Sequence, residues 1–255
     1  MSAFDDPKEP EAGDPIHLST KAIPPEDRLI FALDVPGVAE ARRLVATLRE
    51  AVQFYKVGLE LFLAGGAFEL IDWLVEQEKK VFLDLKLYDI PETVARAVRR
   101  LRERPVTFLT VHGDGAILEA ACREKGELKI LAVTVLTSLN REGLRELGFA
   151  GEVSALVLSR ARRAREIGCE GVIASGLEAR TLRDHLGDEL LIVTPGIRAS
   201  GARPADDQKR VVTVEEAFRH GADYIVVGRP IRDAPDPYEA ALHIQGTIEG
   251  LFLSG

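Results

Sequence analysis

Cysteine is scarce, two residues in 255, and the two stand in separate helix-like stretches as Cys122 and Cys169. Neither a Cys-x-x-Cys pair nor a Cys/His ligand spacing occurs, which argues against a structural disulfide or zinc site and fits a reducing cytoplasmic setting. Long apolar runs are missing as well. The longest uncharged stretch, residues 130–140, falls far short of the roughly 18 to 20 residues that a bilayer-spanning helix needs, so no membrane is expected as a partner. Nor is there a basic excess. Acidic residues outnumber basic ones by 41 to 33, for a net charge of −8, and Lys and Arg are interspersed with acidic neighbours, which is not the footprint of a nucleic-acid-binding surface. The N-terminus lacks a basic stretch followed by an apolar one. Rich in Asp, Glu, Pro and Gly through Glu26, it reads as a disordered acidic tail over 1–26 rather than as a signal peptide.

Hydrophobic residues make up 46% of the chain, ample for a full core. From Arg28 onward apolar, strand-like runs at 29–34, 53–57, 81–86, 106–112, 129–136, 171–175, 190–194 and 224–228 alternate with helix-periodic segments. Those fall at 38–51, 61–78, 92–103, 116–125, 153–167, 178–185, 214–220 and 237–251. Strands separated by helices of this length imply right-handed crossovers and a parallel sheet. Eight such units in the available length favour a closed (β/α)8 TIM barrel, class α/β, over its competitor, a doubly wound open sheet. No Gly/Pro/Ser-rich linker interrupts the chain after Glu26, so 27–255 is expected to form a single barrel domain.

In a barrel the strand C-termini open onto one face, where catalytic groups gather. Polar residues recur at that end of the expected strands: Asp34, Lys56, Asp84 with Lys86, His112, Thr137 with Ser138, Pro195 with Arg198, and Gly228 with Arg229. Each has an ordinary reading. Asp34 could cap a turn, Lys56 could reach to solvent, His112 could be a hydrogen-bonded structural histidine and Tyr88 a packing residue. The third strand is harder to dismiss. Residues two apart in a strand share a face, so Asp84 and Lys86 project together from an otherwise apolar run, with Asp89 three residues on. Desolvation costs each such charge several kcal/mol even after relaxation, so charges placed this way are paired and are functional candidates. Phosphate chemistry is suggested by the segments after the seventh and eighth strands, with Arg198, Arg203 and Gln208 in one and Gly228 and Arg229 in the other, since these loops are the usual phosphate site of such barrels.

In their order along the chain these segments resemble the bacterial orotidine 5′-phosphate decarboxylase family. The resemblance is carried by Ala-Leu-Asp at 32–34, Lys-Val-Gly at 56–58, Asp-Leu-Lys-Leu-Tyr-Asp-Ile-Pro-Glu-Thr at 84–93 and Val-Thr-Val-Leu-Thr-Ser at 133–138. Thr-Pro-Gly-Ile-Arg at 194–198, Asp-Gln-Lys-Arg at 207–210 and Val-Gly-Arg-Pro at 227–230 complete it. It spans 28–250 and leaves out the acidic tail; it gives Arg203 no role. It implies a cofactor-free, metal-free conversion of orotidine 5′-monophosphate (OMP) to UMP and CO2 in de novo pyrimidine synthesis. By that likeness Lys86 would protonate C6 of the pyrimidine, Asp84 would face the substrate carboxylate, Lys56 would bridge Asp84 and the ribose, and Asp34 would bind the ribose hydroxyls. Thr137 and Ser138 would hold the pyrimidine edge. Gln208, Gly228 and Arg229 would hold the phosphate, and Pro195 and Arg198 would belong to a closing loop. Asp89, Ile90 and Thr93 would enter the site of a partner subunit, making the active unit a homodimer.

The nearest alternative is a Mg²⁺-dependent sugar-phosphate decarboxylase of the 3-keto-gulonate 6-phosphate type, which shares Asp-x-Lys-x-x-Asp; Lys56 and Gln208 fit the pyrimidine enzyme better. A phosphoribosyl isomerase would want an acid–base pair that neither Cys122 nor Cys169 is placed to supply. A nucleotide-binding scaffold without turnover is the non-enzymatic reading.

Overall fold

The computed structural model describes residues 16–198 and 211–253. Its elements run β1 (Leu29–Ala32), α1 (Val38–Leu48), β2 (Phe54–Gly58), α2 (Leu59–Leu63), α3 (Ala67–Glu76), β3 (Lys80–Leu87), α4 (Pro91–Leu101), β4 (Phe108–His112), α5 (Gly115–Glu124) and β5 (Lys129–Val133). There follow α6 (Arg141–Glu146), α7 (Val153–Ile167), β6 (Gly171–Ile173), α8 (Gly176–Leu186), β7 (Leu191–Thr194), α9 (Val214–Arg219), β8 (Tyr224–Val227), α10 (Arg229–Arg232) and α11 (Pro237–Phe252). All eight strands pair in parallel and in sequence order. The sheet closes where β8 meets β1, Leu29 opposite Ile225 and Phe31 opposite Val227. The chain is a (β/α)8 barrel, as its rhythm predicts.

Strand alternation divides the core into two parts. Outward residues such as Leu29, Phe31, Tyr55 and Val57 pack under the helices, while Ile30, Phe54, Phe82, Phe108, Tyr224 and Val226 turn inward and fill the lumen. The inward rings interlock, with centroids 5.1 Å apart for Phe54 and Phe108 and 5.2 Å for Phe108 and Tyr224. Burying each such ring is worth about 1.5–3 kcal/mol. The aromatic layer plugs the lower lumen. Two residues further along each strand, the same alternation brings Lys56, Asp84 and Thr110 inward, directly above that floor.

The expected tail is corrected in part. Residues 1–15 lie outside the described residues, but 16–26 pack onto the N-terminal end of the barrel. Ser19 Oγ and Lys21 Nζ donate to the Asp223 carboxylate, at 2.5 and 3.1 Å, and the His17 N–H donates to the Arg219 carbonyl. Asp223 is fully buried and also receives Arg183 Nη2 at 2.6 Å and the Ile192 N–H at 2.8 Å. An otherwise uncompensated buried carboxylate is thereby satisfied, and its need for donors is a physical reason for this polar segment to dock. A second correction concerns the long helix expected over 61–78. It is two helices, because Gly65 and Gly66 adopt φ of +86° and +73° and turn the chain between them. Among the described residues no helix is long and apolar enough to cross a membrane.

Candidate functional site

Asp34, Lys56, Asp84 and Lys86 form a row of alternating charge across the C-terminal ends of the first three strands. Lys56 Nζ lies 2.9 Å from Asp34 Oδ1 and 3.5 Å from Asp84 Oδ2, and Lys86 Nζ lies 2.8 Å from Asp84 Oδ1. The register that sets Gly58 opposite Asp84 brings β2 and β3 into this alignment. Gly58 leaves the necessary space: a Cβ there would stand 3.0 Å from Lys56 Nζ. The inner pair is dry and the outer pair wet, with side-chain exposure of 10% for Lys56 and 14% for Asp84 against 40% for Lys86 and 49% for Asp34.

Burial pushes the Asp84 carboxyl up, but the two ammonium groups and the hydrogen bonds from Lys86 and Thr110 outweigh it and hold the group below its usual range. Asp84 therefore adds stability at pH values where an unfolded aspartate is ionised, above about 4, and that contribution is lost as pH falls through the lower folded value. Urea unfolding of wild type and Asp84→Asn is expected to give a stability gap that is constant between about pH 7 and 5 and narrows below about 4. A gap that widens toward acid would contradict a depressed carboxyl.

The row forms one wall of a cavity of about 850 Å³, within the range of small-molecule sites. Phe82 and Ala32 lie at its base, Val133, Val135 and Ile173 line an apolar side, and Arg198 and Arg229 bring positive charge after β7 and β8. Of the residues expected from sequence, Asp34, Lys56, Asp84, Lys86, Thr137, Pro195, Arg198, Gly228 and Arg229 border this cavity. Ser138 is exposed and does not. Gln208 and Arg203 lie outside the described residues.

Asp89 does not join Lys86 within the same chain, which corrects the triad suggested by spacing. The strand ends at Leu87, and the exposed Asp89 carboxylate instead accepts the Ile90 N–H at 2.6 Å. Ile90, 67% exposed, and the half-buried Thr93 sit with it at the start of α4. His112 stacks on Tyr88 at 4.3 Å and keeps its Nδ1 buried without a hydrogen-bond partner among the described residues. Burial, with Arg160 nearby, lowers its pKa. It does not line the cavity.

Two participants escaped the sequence reading. Thr110 is fully buried, donates its hydroxyl to Asp84 Oδ1 at 2.9 Å and accepts the Lys86 N–H at 2.9 Å. Its signal was a lone hydroxyl two residues after Phe108 on an inward face. Arg232 donates to the Asp34 carbonyl at 2.7 Å and pairs with Asp233, tying α10 to the end of β1. Its signal, a charged residue in a loop, was indistinguishable from a solvated one. Among the described residues no group of three or more His, Cys, Asp or Glu side chains is gathered for a metal ion.

Residues 27–244 match the family model described as orotidine 5′-phosphate decarboxylase / HUMPS family. A protein of Methylococcus capsulatus named orotidine 5′-phosphate decarboxylase is 61% identical over 241 residues, covering 94% of this chain and 100% of its own length. One of that name from Nitrobacter winogradskyi is 52% identical over 84% of this chain and 90% of its own. Among solved structures, orotidine 5′-phosphate decarboxylase from Lactobacillus acidophilus superposes with a TM-score of 0.77 at 35% identity, covering 87% of this chain and 99% of its own.

Proposed function

The chain belongs to the orotidine 5′-phosphate decarboxylase / HUMPS family, and we propose that it is the carboxy-lyase that converts OMP to UMP and CO2 in de novo pyrimidine synthesis. The observation that carries this reading is the alternating row Asp34–Lys56–Asp84–Lys86 along one wall of the cavity. Breaking the bond between C6 and the carboxylate leaves an electron pair on a ring carbon with no cofactor to receive it, so the site must stabilise that charge as it forms. The Lys86 ammonium supplies positive charge there and then a proton to C6, and solvent reprotonates it after UMP is released. Asp84 orients Lys86 and faces the departing carboxylate.

Lys56 bridges Asp84 and the ribose, and Asp34 holds the ribose hydroxyls. Thr137, on the cavity wall, meets the pyrimidine edge; Ser138, which does not border the cavity, would have to turn inward on binding to share that contact. Gly228 and Arg229, with Gln208, hold the phosphate, while Pro195 and Arg198 begin the segment that closes over it. The partner subunit's Asp89, Ile90 and Thr93 complete each site of a cytoplasmic homodimer, a role consistent with the exposure of Asp89 and Ile90 here. No cofactor enters the reaction.

The fall in absorbance of OMP on decarboxylation, followed with and without EDTA, tests the reading. Turnover to UMP unaffected by the chelator is expected. Absence of turnover, or turnover lost to EDTA and restored by Mg²⁺, would turn the assignment toward the sugar-phosphate alternative, which relatives named as the pyrimidine enzyme do not favour.

A further inference from the structure

We propose that Thr110 is a positioning residue for the reaction, setting the backbone and the carboxylate that together aim the Lys86 ammonium. The proposal rests on the assignment of Lys86 as proton donor. Along the β3–β4 seam, Leu83 pairs with Leu109 and Leu87 with Val111. Asp84, Leu85 and Lys86 therefore face a single residue of β4, and that residue is Thr110. The extra residues form a bulge, a device that re-aims a side chain and leaves backbone groups without ladder partners.

Lys86 itself sits at φ +49°, in the left-handed region that a residue with a Cβ rarely adopts. Such a conformation persists only where its surroundings hold it. Thr110 is placed to do so. Its one hydroxyl, fully buried, accepts the Lys86 N–H at 2.9 Å and donates to Asp84 Oδ1 at 2.9 Å, the same oxygen that receives Lys86 Nζ at 2.8 Å. One side chain thus fixes both ends of the donor: the peptide from which Lys86 springs and the anion on which its tip rests. A methyl group in place of the hydroxyl would fill the same volume and offer neither bond. The N–H and the carboxylate oxygen would each lose a partner in a dry site, and Lys86 would be free to leave its conformer.

Thr110→Val and Thr110→Ser, each in the full chain, separate positioning from folding. In Thr110→Val, kcat for OMP is expected to fall about 10- to 100-fold, the scale of a misplacement near 1 Å, with KM and UMP affinity within about threefold of wild type. Thr110→Ser, which keeps the hydroxyl, is expected to restore most of kcat. The Lys86 amide gives a readout independent of turnover. Its hydrogen exchange, followed by NMR, should speed up at least about tenfold in Thr110→Val and remain slow in Thr110→Ser. Unchanged exchange in Thr110→Val, or a kcat within twofold of wild type, would overturn the proposal. Equal loss in the Ser and Val variants would also overturn it, since shape and not the hydroxyl would then matter. Should Thr110→Val not fold, Thr110→Cys, with its weak hydrogen-bonding thiol, takes its place under the same criteria. A wild type that leaves OMP intact while Thr110→Val loosens the Lys86 amide would defeat the functional assignment and leave the bulge clamp standing.

Discussion

Lys86→Ala is expected to abolish measurable decarboxylation while leaving UMP affinity within about tenfold of wild type. Two roles are lost together. A positioned general acid contributes about 10²- to 10⁴-fold, and a fixed positive group at a developing carbanion about 10²- to 10³-fold more, so kcat should drop by about 10⁴-fold or beyond. Binding should suffer much less, because the phosphate and ribose contacts proposed for Arg229 and Asp34 come from the segments after β8 and β1, not from β3. Lys86→Arg is a sharper version of the same test. A guanidinium keeps the charge but does not give up its proton, so it should bind UMP and fail to turn over OMP. A Lys86→Ala enzyme that retained more than about one hundredth of wild-type kcat would move the proton donor elsewhere.

Much of this site could be read from the chain because barrel geometry converts strand position into location. Asp34, Lys56 and Asp84 end apolar runs, and a charge that ends such a run must lie where the barrel opens. Inward alternation from Phe54 to Lys56 and from Phe82 to Asp84 does the rest. What alternation could not reveal is where a strand stops alternating. The bulge opposite Thr110 and the left-handed backbone of Lys86 are products of pairing with β4, and no local pattern announces them. Asp89 is a related case: its spacing from Asp84 and Lys86 suggests a triad, but beyond the end of β3 at Leu87 the chain turns and the carboxylate accepts the Ile90 N–H instead.

Long-range complementarity was equally silent. Ser19 and Lys21 look like parts of a polar tail until Asp223, some two hundred residues away, is seen to need them. Cys122 and Cys169 stand 47 positions apart in sequence, yet their sulfurs lie 3.5 Å apart as free thiols, because α5 and the turn after α7 are neighbours around the barrel. Composition favours disorder for polar, Pro-rich segments, but a buried counter-charge can supply what composition lacks.

Arg229→Ala should lower kcat/KM for OMP by about 10²- to 10³-fold, equivalent to about 3–4 kcal/mol. The exposed Arg229 opens α10 at the cavity rim, next to the Asp34 end of the charged row because β8 pairs with β1, and Arg232 of the same short helix holds the Asp34 carbonyl. A phosphate gripped at this rim is remote from C6. Its binding energy can nonetheless lower the barrier, provided that it keeps the pyrimidine pressed against Lys86 and Asp84 through the transition state. The loss should then appear in kcat as well as in KM. Orotidine, the same nucleoside without its phosphate, supplies the control. If Arg229 acts through the phosphate, the substitution should cost orotidine turnover almost nothing, and the two changes together should fall well short of additive. Equal losses on both substrates would instead mean that Arg229 serves the protein scaffold around α10, and that the anion is held by other groups.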